Sequence, residues 1–257
     1  MLRFASLGSG SSGNALLVEA GEGMHRTRVL VDCGFNARQT ELRLARLGVE
    51  AESITAILVT HEHSDHVGGV AVFARRHRVP VYASEGSAHA AGLYSAGLDL
   101  RPLASGTGPA IGALAVDPFE VPHDAAEPLQ FVLSDGDSRL GVLTDLGHAS
   151  ALVEDRLGRL DALVLECNHD EAMLRSGPYP AFLKARVGGA RGHLSNAQAA
   201  SLLDRLDRSR LQLVVAAHLS AKNNAESLAR AALAAVLGGE EGVRVADQAS
   251  GTGWIDL

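Results

Sequence analysis

Short apolar runs alternate with amphipathic stretches along most of this chain. Arg3–Leu7, Ala15–Glu19 and Arg28–Asp32 read as strands, being brief, rich in Leu and Val, and bounded by Gly, Ser or Asn. Asn36–Leu47 sets Leu42, Leu44 and Leu47 among Arg and Glu and predicts an amphipathic helix. Strand Ile54–Val59, helix Val67–Arg78, strand Val79–Ala83 and helix Glu85–Leu93 follow. Between Ala113 and Val142 the pattern turns β-rich, with strands at Leu114–Val121, Leu129–Leu133 and Leu140–Leu143. Then come helix Ala149–Leu157, strand Ala162–Glu166, helix Asn196–Arg208, strand Leu211–Ala216 and helix Ala225–Leu237. Strands Val243–Ala246 and Gly253–Leu257 close the chain. Each half therefore carries its own sheet and helices. A sheet covered by helices on one face must bury the other. The expected class is α/β: a four-layer αββα sandwich, one domain over residues 1–257.

Composition narrows the picture. Hydrophobic residues make up 46% of 257 and aromatics only 4%, so aliphatic side chains and Ala must fill the core. Apolar runs such as Leu213–Ala217 are far too short to cross a bilayer. Met1–Ala5 leads into a Gly/Ser stretch rather than the apolar core of a signal peptide. Cys33 and Cys167 are the two cysteines, and two unpaired thiols suit a reducing cytoplasm. The formal charge of −7 argues against a broadly basic nucleic-acid-binding surface, though it leaves room for a small basic channel. Oligomeric state is not encoded in any of these features.

The candidate chemistry begins at His61-Glu62-His63-Ser64-Asp65-His66, directly after the apolar run Ile57-Leu58-Val59. Neutral imidazole and carboxylate are ligands for Zn²⁺, Mn²⁺ and Fe²⁺. A helix would turn His63 away from His61 and Asp65, whereas a tight loop at a strand end lets all four donors converge. Three further strand ends carry potential donors: His123 after Val121-Pro122, Asp145 after Leu143-Thr144, and His218 after Val215-Ala216-Ala217. Five His and two Asp are about what two first-row dications sharing one carboxylate require, and neutral His preserves their Lewis acidity. A competing pattern is Gly8-x-Gly10-x-x-Gly13 with Asp32 downstream, which has the spacing of a dinucleotide-binding fingerprint. That motif needs a helix at its third glycine, and Asn14–Glu19 is short and β-like.

His-Glu-His-Ser-Asp-His resembles the H-x-H-x-D-H signature of the metallo-β-lactamase fold superfamily. The resemblance implies one metal on His61, His63 and His123, a second on Asp65, His66 and His218, and Asp145 bridging them. It makes Asp32 a brace for the metal loop. Gly192-His193-Leu194-Ser195-Asn196 resembles the catalytic-histidine segment of the phosphodiesterase branch. Gly8–Asn14, Glu166-Cys167-Asn168-His169-Asp170 and Ala217-His218-Leu219-Ser220 are similar to the YycJ/WalJ group of bacterial exonucleases.

That resemblance implies a metal-dependent phosphodiesterase acting as a nuclease, an exonuclease on DNA, with a hydroxide between two ions as nucleophile. Zn or Mn, with Fe as a third option, are the expected metals. His193 is the expected general acid and Asp65 could also orient the nucleophile. His169 is a candidate substrate contact or support for the metal shell. Lys184, Arg186 and Arg191, just before His193, are placed to hold phosphates, and Lys222 is a further candidate. Arg75-Arg76-His77-Arg78 reads instead as a helix end whose cations oppose the dipole. Tyr179 and Phe182 are the nearest aromatics for base stacking, so binding should be led by the phosphate backbone. His25, His77, His89 and His148 are assigned to surface or capping roles. The competing function on the same scaffold is a thioester or other small-molecule hydrolase.

Overall fold

The structure is a computed structural model that describes residues 1–257, the side chain of Met24 apart. The first half forms β1 (Leu2–Gly8), β2 (Ala15–Ala20), β3 (Thr27–Val31), α1 (Ala37–Arg46), β4 (Ala56–Leu58), α2 (Ser64–Val67), α3 (Val70–His77), β5 (Val81–Ala83), α4 (Glu85–Ala90) and β6 (Leu100–Pro102). The second forms β7 (Ala110–Ile111), β8 (Leu114–Glu120), β9 (Leu129–Ser134), β10 (Arg139–Leu143), α5 (Ala151–Arg156), β11 (Ala162–Glu166), α6 (Glu171–Ser176), α7 (Ala181–Val187), α8 (Asn196–Arg205), β12 (Leu213–Ala217), α9 (Glu226–Leu237), β13 (Val243–Val245) and β14 (Ile255–Asp256).

Two mixed sheets result, ordered β14-β1-β2-β3-β4-β5-β6 and β13-β12-β11-β10-β9-β8-β7. Alternation along each strand sorts the side chains into three layers of core. Leu16, Val18, Val29, Val31 and Leu58 face Leu129, Phe131, Leu133, Val142 and Val164 between the sheets. Their neighbours Leu17, Leu30 and Ile57 point outward, where Leu44 and Phe73 of α1 and α3 cover them. Leu163, Leu165, Val214 and Ala216 meet Leu202, Leu203 and Leu233 of α8 and α9. The predicted αββα layering is therefore what the chain adopts. No helix of the described residues is long and apolar enough to cross a membrane.

Some expectations need correction. The helix expected over Val67–Arg78 is broken at Gly68-Gly69, leaving α2 and α3. A Cβ on Gly69 would lie 1.9 Å from the Phe35 carbonyl oxygen, so the chains touch there with no room for a side chain. The metal-ligand hexapeptide is not wholly loop either, because Asp65 and His66 sit on the turn of α2. The last strand does not belong to the second half: β14 runs antiparallel to β1, with Arg3 opposite Asp256. The stretch 171–187, unassigned by pattern, forms α6 and α7. His77, expected at the surface, lies half-buried between Glu41 and Glu52. Arg76 also pairs with Glu41, which fits the structural reading of that basic run. Cys33 and Cys167 are both free and buried, and burial pushes the Cys33 thiol up to about 12.

Candidate metal centre

The donors converge because successive strands end at one edge of the sandwich. β3 hands over to Asp32, β4 to His61, β8 to His123, β10 to Asp145 and β12 to His218. Three of these residues adopt left-handed backbone: Asp32 at φ 62°, Asp145 at φ 56° and His218 at φ 55°. Such a conformation costs a non-glycine residue roughly 1–2 kcal/mol, and here it turns a side chain from the end of a strand into the shared space.

Three donor groups form around Asp145. His61, His63 and His123 make one, Asp65, His66 and His218 a second, and His61, His66 and Asp145 a third that joins them. His61 Nε2 lies 2.9 Å from His63 Nδ1, which is 3.4 Å from His123 Nε2. His66 Nε2 is 3.1 Å from Asp145 Oδ2, and His218 Nε2 is 3.4 Å from Asp65 Oδ2. The opposite nitrogen of four of the rings is already held. His66 Nδ1 donates to Asp32 Oδ2 (2.7 Å), His123 Nδ1 to the Gly192 carbonyl (3.0 Å) and His218 Nδ1 to Glu166 Oε1 (3.0 Å). His61 Nδ1 lies 3.0 Å from Thr60 Oγ1. Bracing the far nitrogen fixes the tautomer that leaves the near one free to coordinate. Burial holds His61 well below its usual pKa, so it stays a neutral ligand. Asp145 Oδ2 is buried without a hydrogen-bond donor among the described atoms. Crowded acceptor nitrogens beside an orphaned carboxylate oxygen fit divalent transition-metal cations and little else.

The glycine-rich segment is part of this bracing. It joins antiparallel β1 and β2, with no helix at its third glycine, so it lacks the dinucleotide-binding architecture. Asn14 N–H donates to the Asp65 carbonyl (2.8 Å), Gly34 N–H to the Asn14 carbonyl (2.9 Å) and His218 N–H to Ser9 Oγ (2.8 Å). Asp32 accepts from both Thr60 N–H and Thr60 Oγ1 at 2.8 Å.

Sequence reasoning missed Glu166. It is fully buried at the end of β11, and Oε1 accepts from His193 Nδ1 (2.7 Å) and His218 Nδ1 (3.0 Å). Oε2 accepts from the backbone N–H groups of Leu146 and Leu194. Burial opposes its charge, yet His193 and His218 hold the carboxyl down to about 2. Burial likewise opposes the charge on His193, but Glu166 raises its pKa above the ordinary value. With Nδ1 engaged, the Nε2 of His193 is the nitrogen left for the pocket. The one clue in the sequence was that Glu166 ends an apolar strand, as the metal donors do.

The pocket encloses about 220 Å³ and is lined by His63, Asp65, Asp145, His193 and His218 on one side, and by Tyr179, Leu183 and Arg186 on the other. The residues expected to contact substrate distribute differently. Lys184 donates to the Arg175 carbonyl (2.7 Å) and Arg191 to the His123 carbonyl (3.1 Å), and neither lines this pocket. His169 is buried and borders a separate cavity behind α7. Lys222 stands 5.9 Å from the Tyr179 ring at the rim. Arg186 does face the pocket, its Nε 2.5 Å from Oδ2 of Asp124, a second residue the sequence reading passed over.

Residues 27–215 match the family described as "Beta-lactamase superfamily domain". The chain belongs to the metallo-β-lactamase-fold superfamily. Within it, the chain is 36% identical to the exodeoxyribonuclease YycJ of Bacillus anthracis, over 92% of this chain and 89% of that protein. It is 34% identical to the exodeoxyribonuclease WalJ of Streptococcus pneumoniae, over 88% and 85%. The metallo-β-lactamase fold protein YhfI from Bacillus subtilis superposes over the full length of both chains with a TM-score of 0.77 at 15% identity. As a member of the superfamily, the chain is a metal-dependent hydrolase whose His and Asp clusters are suited to divalent cations.

Proposed function

We propose that this protein is a two-metal phosphodiesterase acting as an exonuclease on DNA, formed by residues 1–257 as one hydrolase domain. The observation that carries the reading is the Glu166–His193 pair beside the donor cluster. An imidazole outside the ligand set, kept cationic by a buried carboxylate, is what a departing alkoxide needs and what a bare Lewis-acid site lacks. The likeness to exodeoxyribonucleases over nine-tenths of the chain supports the same reading. His61, His63 and His123 would hold one ion, Asp65, His66 and His218 the other, with Asp145 shared. These donors suit Zn or Mn best and accommodate Fe. Two such cations, when bound, make water nucleophilic near neutrality and offset the charge growing on phosphoryl oxygens.

The chain's own residues do the rest. His193 Nε2 gives its proton to the leaving oxygen while Glu166 stabilises the ring's charge from behind. Asp65 orients the nucleophile, and Arg186 at the mouth draws the phosphate backbone in. The free buried thiols fit a cytoplasmic setting.

Elemental analysis of the purified protein, followed by assays of wild type beside His193→Ala, tests the reading. Two transition-metal equivalents are expected. The variant should keep its metal while turnover of linear 5′-phosphorylated DNA falls about 10²–10⁴-fold. No turnover of DNA, RNA or a bis-aryl phosphate by the metal-loaded protein, or faster turnover of a glutathione thioester, would refute it.

A further inference from the structure

α7 is the least anchored element beside the pocket. None of its seven residues is buried, and Phe182 at its centre is 76% exposed. An exposed phenyl ring of that size is out of keeping with a surface helix unless something covers it. Phe182 and Arg186 are four residues apart, so they share one stripe of the helix. Arg186 lines the metal pocket, and that stripe therefore runs from the pocket mouth out to Phe182. Tyr179 lines the pocket one turn earlier, with Lys222 facing its ring. The charge is equally distinctive. Residues 175–191 carry Arg175, Lys184, Arg186 and Arg191 and no acid, in a chain whose formal charge is −7. An aromatic face set among cations and continuous with a phosphodiester pocket has the chemistry of a single-strand platform: ring for base, guanidinium for phosphate.

Resting on the nuclease reading above, we infer that α7 is the strand-end platform, on which the nucleobase next to the scissile phosphate stacks against Phe182 while Arg186 takes the adjoining phosphate. The enzyme then recognises a frayed single-stranded terminus without regard to base identity, because every base offers a stacking face. A paired duplex end does not fit, since its terminal base faces are already covered.

The test pairs enzyme and substrate changes. Wild type, Phe182→Ala and Phe182→Trp, all metal-loaded, are compared on a single-stranded 5′-phosphorylated oligodeoxynucleotide, on the same strand with abasic sites placed singly along its terminal nucleotides, and on bis(p-nitrophenyl) phosphate. Wild type should lose about 5- to 150-fold in kcat/KM at one abasic position. Phe182→Ala should show no further loss there, and its ratio of oligonucleotide to bis-aryl turnover should fall by a similar factor. Phe182→Trp should restore both. An abasic penalty that persists in Phe182→Ala overturns the platform, as does an equal fall on both substrates, which would mean that Phe182 only shapes α7. If a second copy of this chain covers the face instead, concentration-dependent dimerisation will weaken in Phe182→Ala with the abasic penalty intact, and that too overturns it. In those outcomes wild type still cleaves the oligonucleotide, so the nuclease reading stands. Wild type that hydrolyses the bis-aryl ester but no oligonucleotide removes both.

Discussion

The two walls of the pocket are built on opposite terms. The donor wall comes from strand ends, its His66, His123, Asp145 and His218 are buried, and the ring nitrogens facing away from the centre of His66, His123 and His218 are tied to Asp32, Gly192 or Glu166. The α7 wall has no buried side chain, and its cations reach single partners such as Asp124. Coordination demands donors fixed to a few tenths of an ångström, which only a packed and braced shell supplies. A chain of variable sequence must be gripped and released, which suits exposed side chains that settle on arrival. Placing rigid geometry and adaptable recognition on separate elements allows one to vary without disturbing the other.

The sharpest break in this comparison is Asp145→Asn. Asp145 belongs to the group that joins the two halves of the donor set, and burial leaves its Oδ2 no alternative partner. Bound metal should drop below two equivalents, and kcat/KM should fall on the order of 10⁴-fold as several kcal/mol of Lewis-acid stabilisation is lost. Full metal content in the variant would show that Asp145 is not shared between ions.

Glu166→Gln is the next largest change. The variant keeps the shape but offers no anion to His193 and His218. Metal affinity should weaken about 10- to 100-fold, as expected when a group behind a ligand is lost. The pH profile carries the sign. Glu166 raises the pKa of His193, so in wild type the acid form persists above the ordinary imidazole range. Without the anion the proton leaves earlier, and the alkaline limb of kcat should move to lower pH. A limb that stays in place would exclude His193 as the titrating acid.

Why the donors were legible in the sequence and Glu166 was not has a physical answer. Histidines and aspartates at the ends of apolar strands announce themselves, since burial of such groups costs energy unless they are paired or coordinated. Glu166 also ends a strand, but its partners lie 27 and 52 residues downstream. No local spacing reveals that they meet. α7 escaped for the reverse reason: without a buried face it has no apolar stripe to read. The two-residue β14 pairs with the far end of the chain, Phe4 opposite Ile255, a contact that hydropathy pattern alone does not assign. Lys184 and Arg191 had the right charge near His193, yet backbone carbonyls claimed them, and Arg186 was left facing the pocket.

The α7 wall is sharpened by the gentlest change, Arg186→Ala. Its guanidinium is 60% exposed and its pair with Asp124 is partly solvated, so the effect on stability should stay within about 0.5 kcal/mol. What should change is the dependence of binding on salt. A side chain that neutralises one phosphate contributes about 0.7 to the slope of log K against log salt for a single strand, and removing it should lower that slope by about this amount. KM for an oligonucleotide should rise several-fold at low salt and converge with wild type at high salt, while kcat moves little. A slope equal to wild type would mean that Asp124 keeps Arg186 from the phosphates and that the positive field of the mouth comes from Lys222 and the metals. An unequal slope with equal metal content would place recognition on α7 and leave the donor wall untouched, which is the separation the two walls imply.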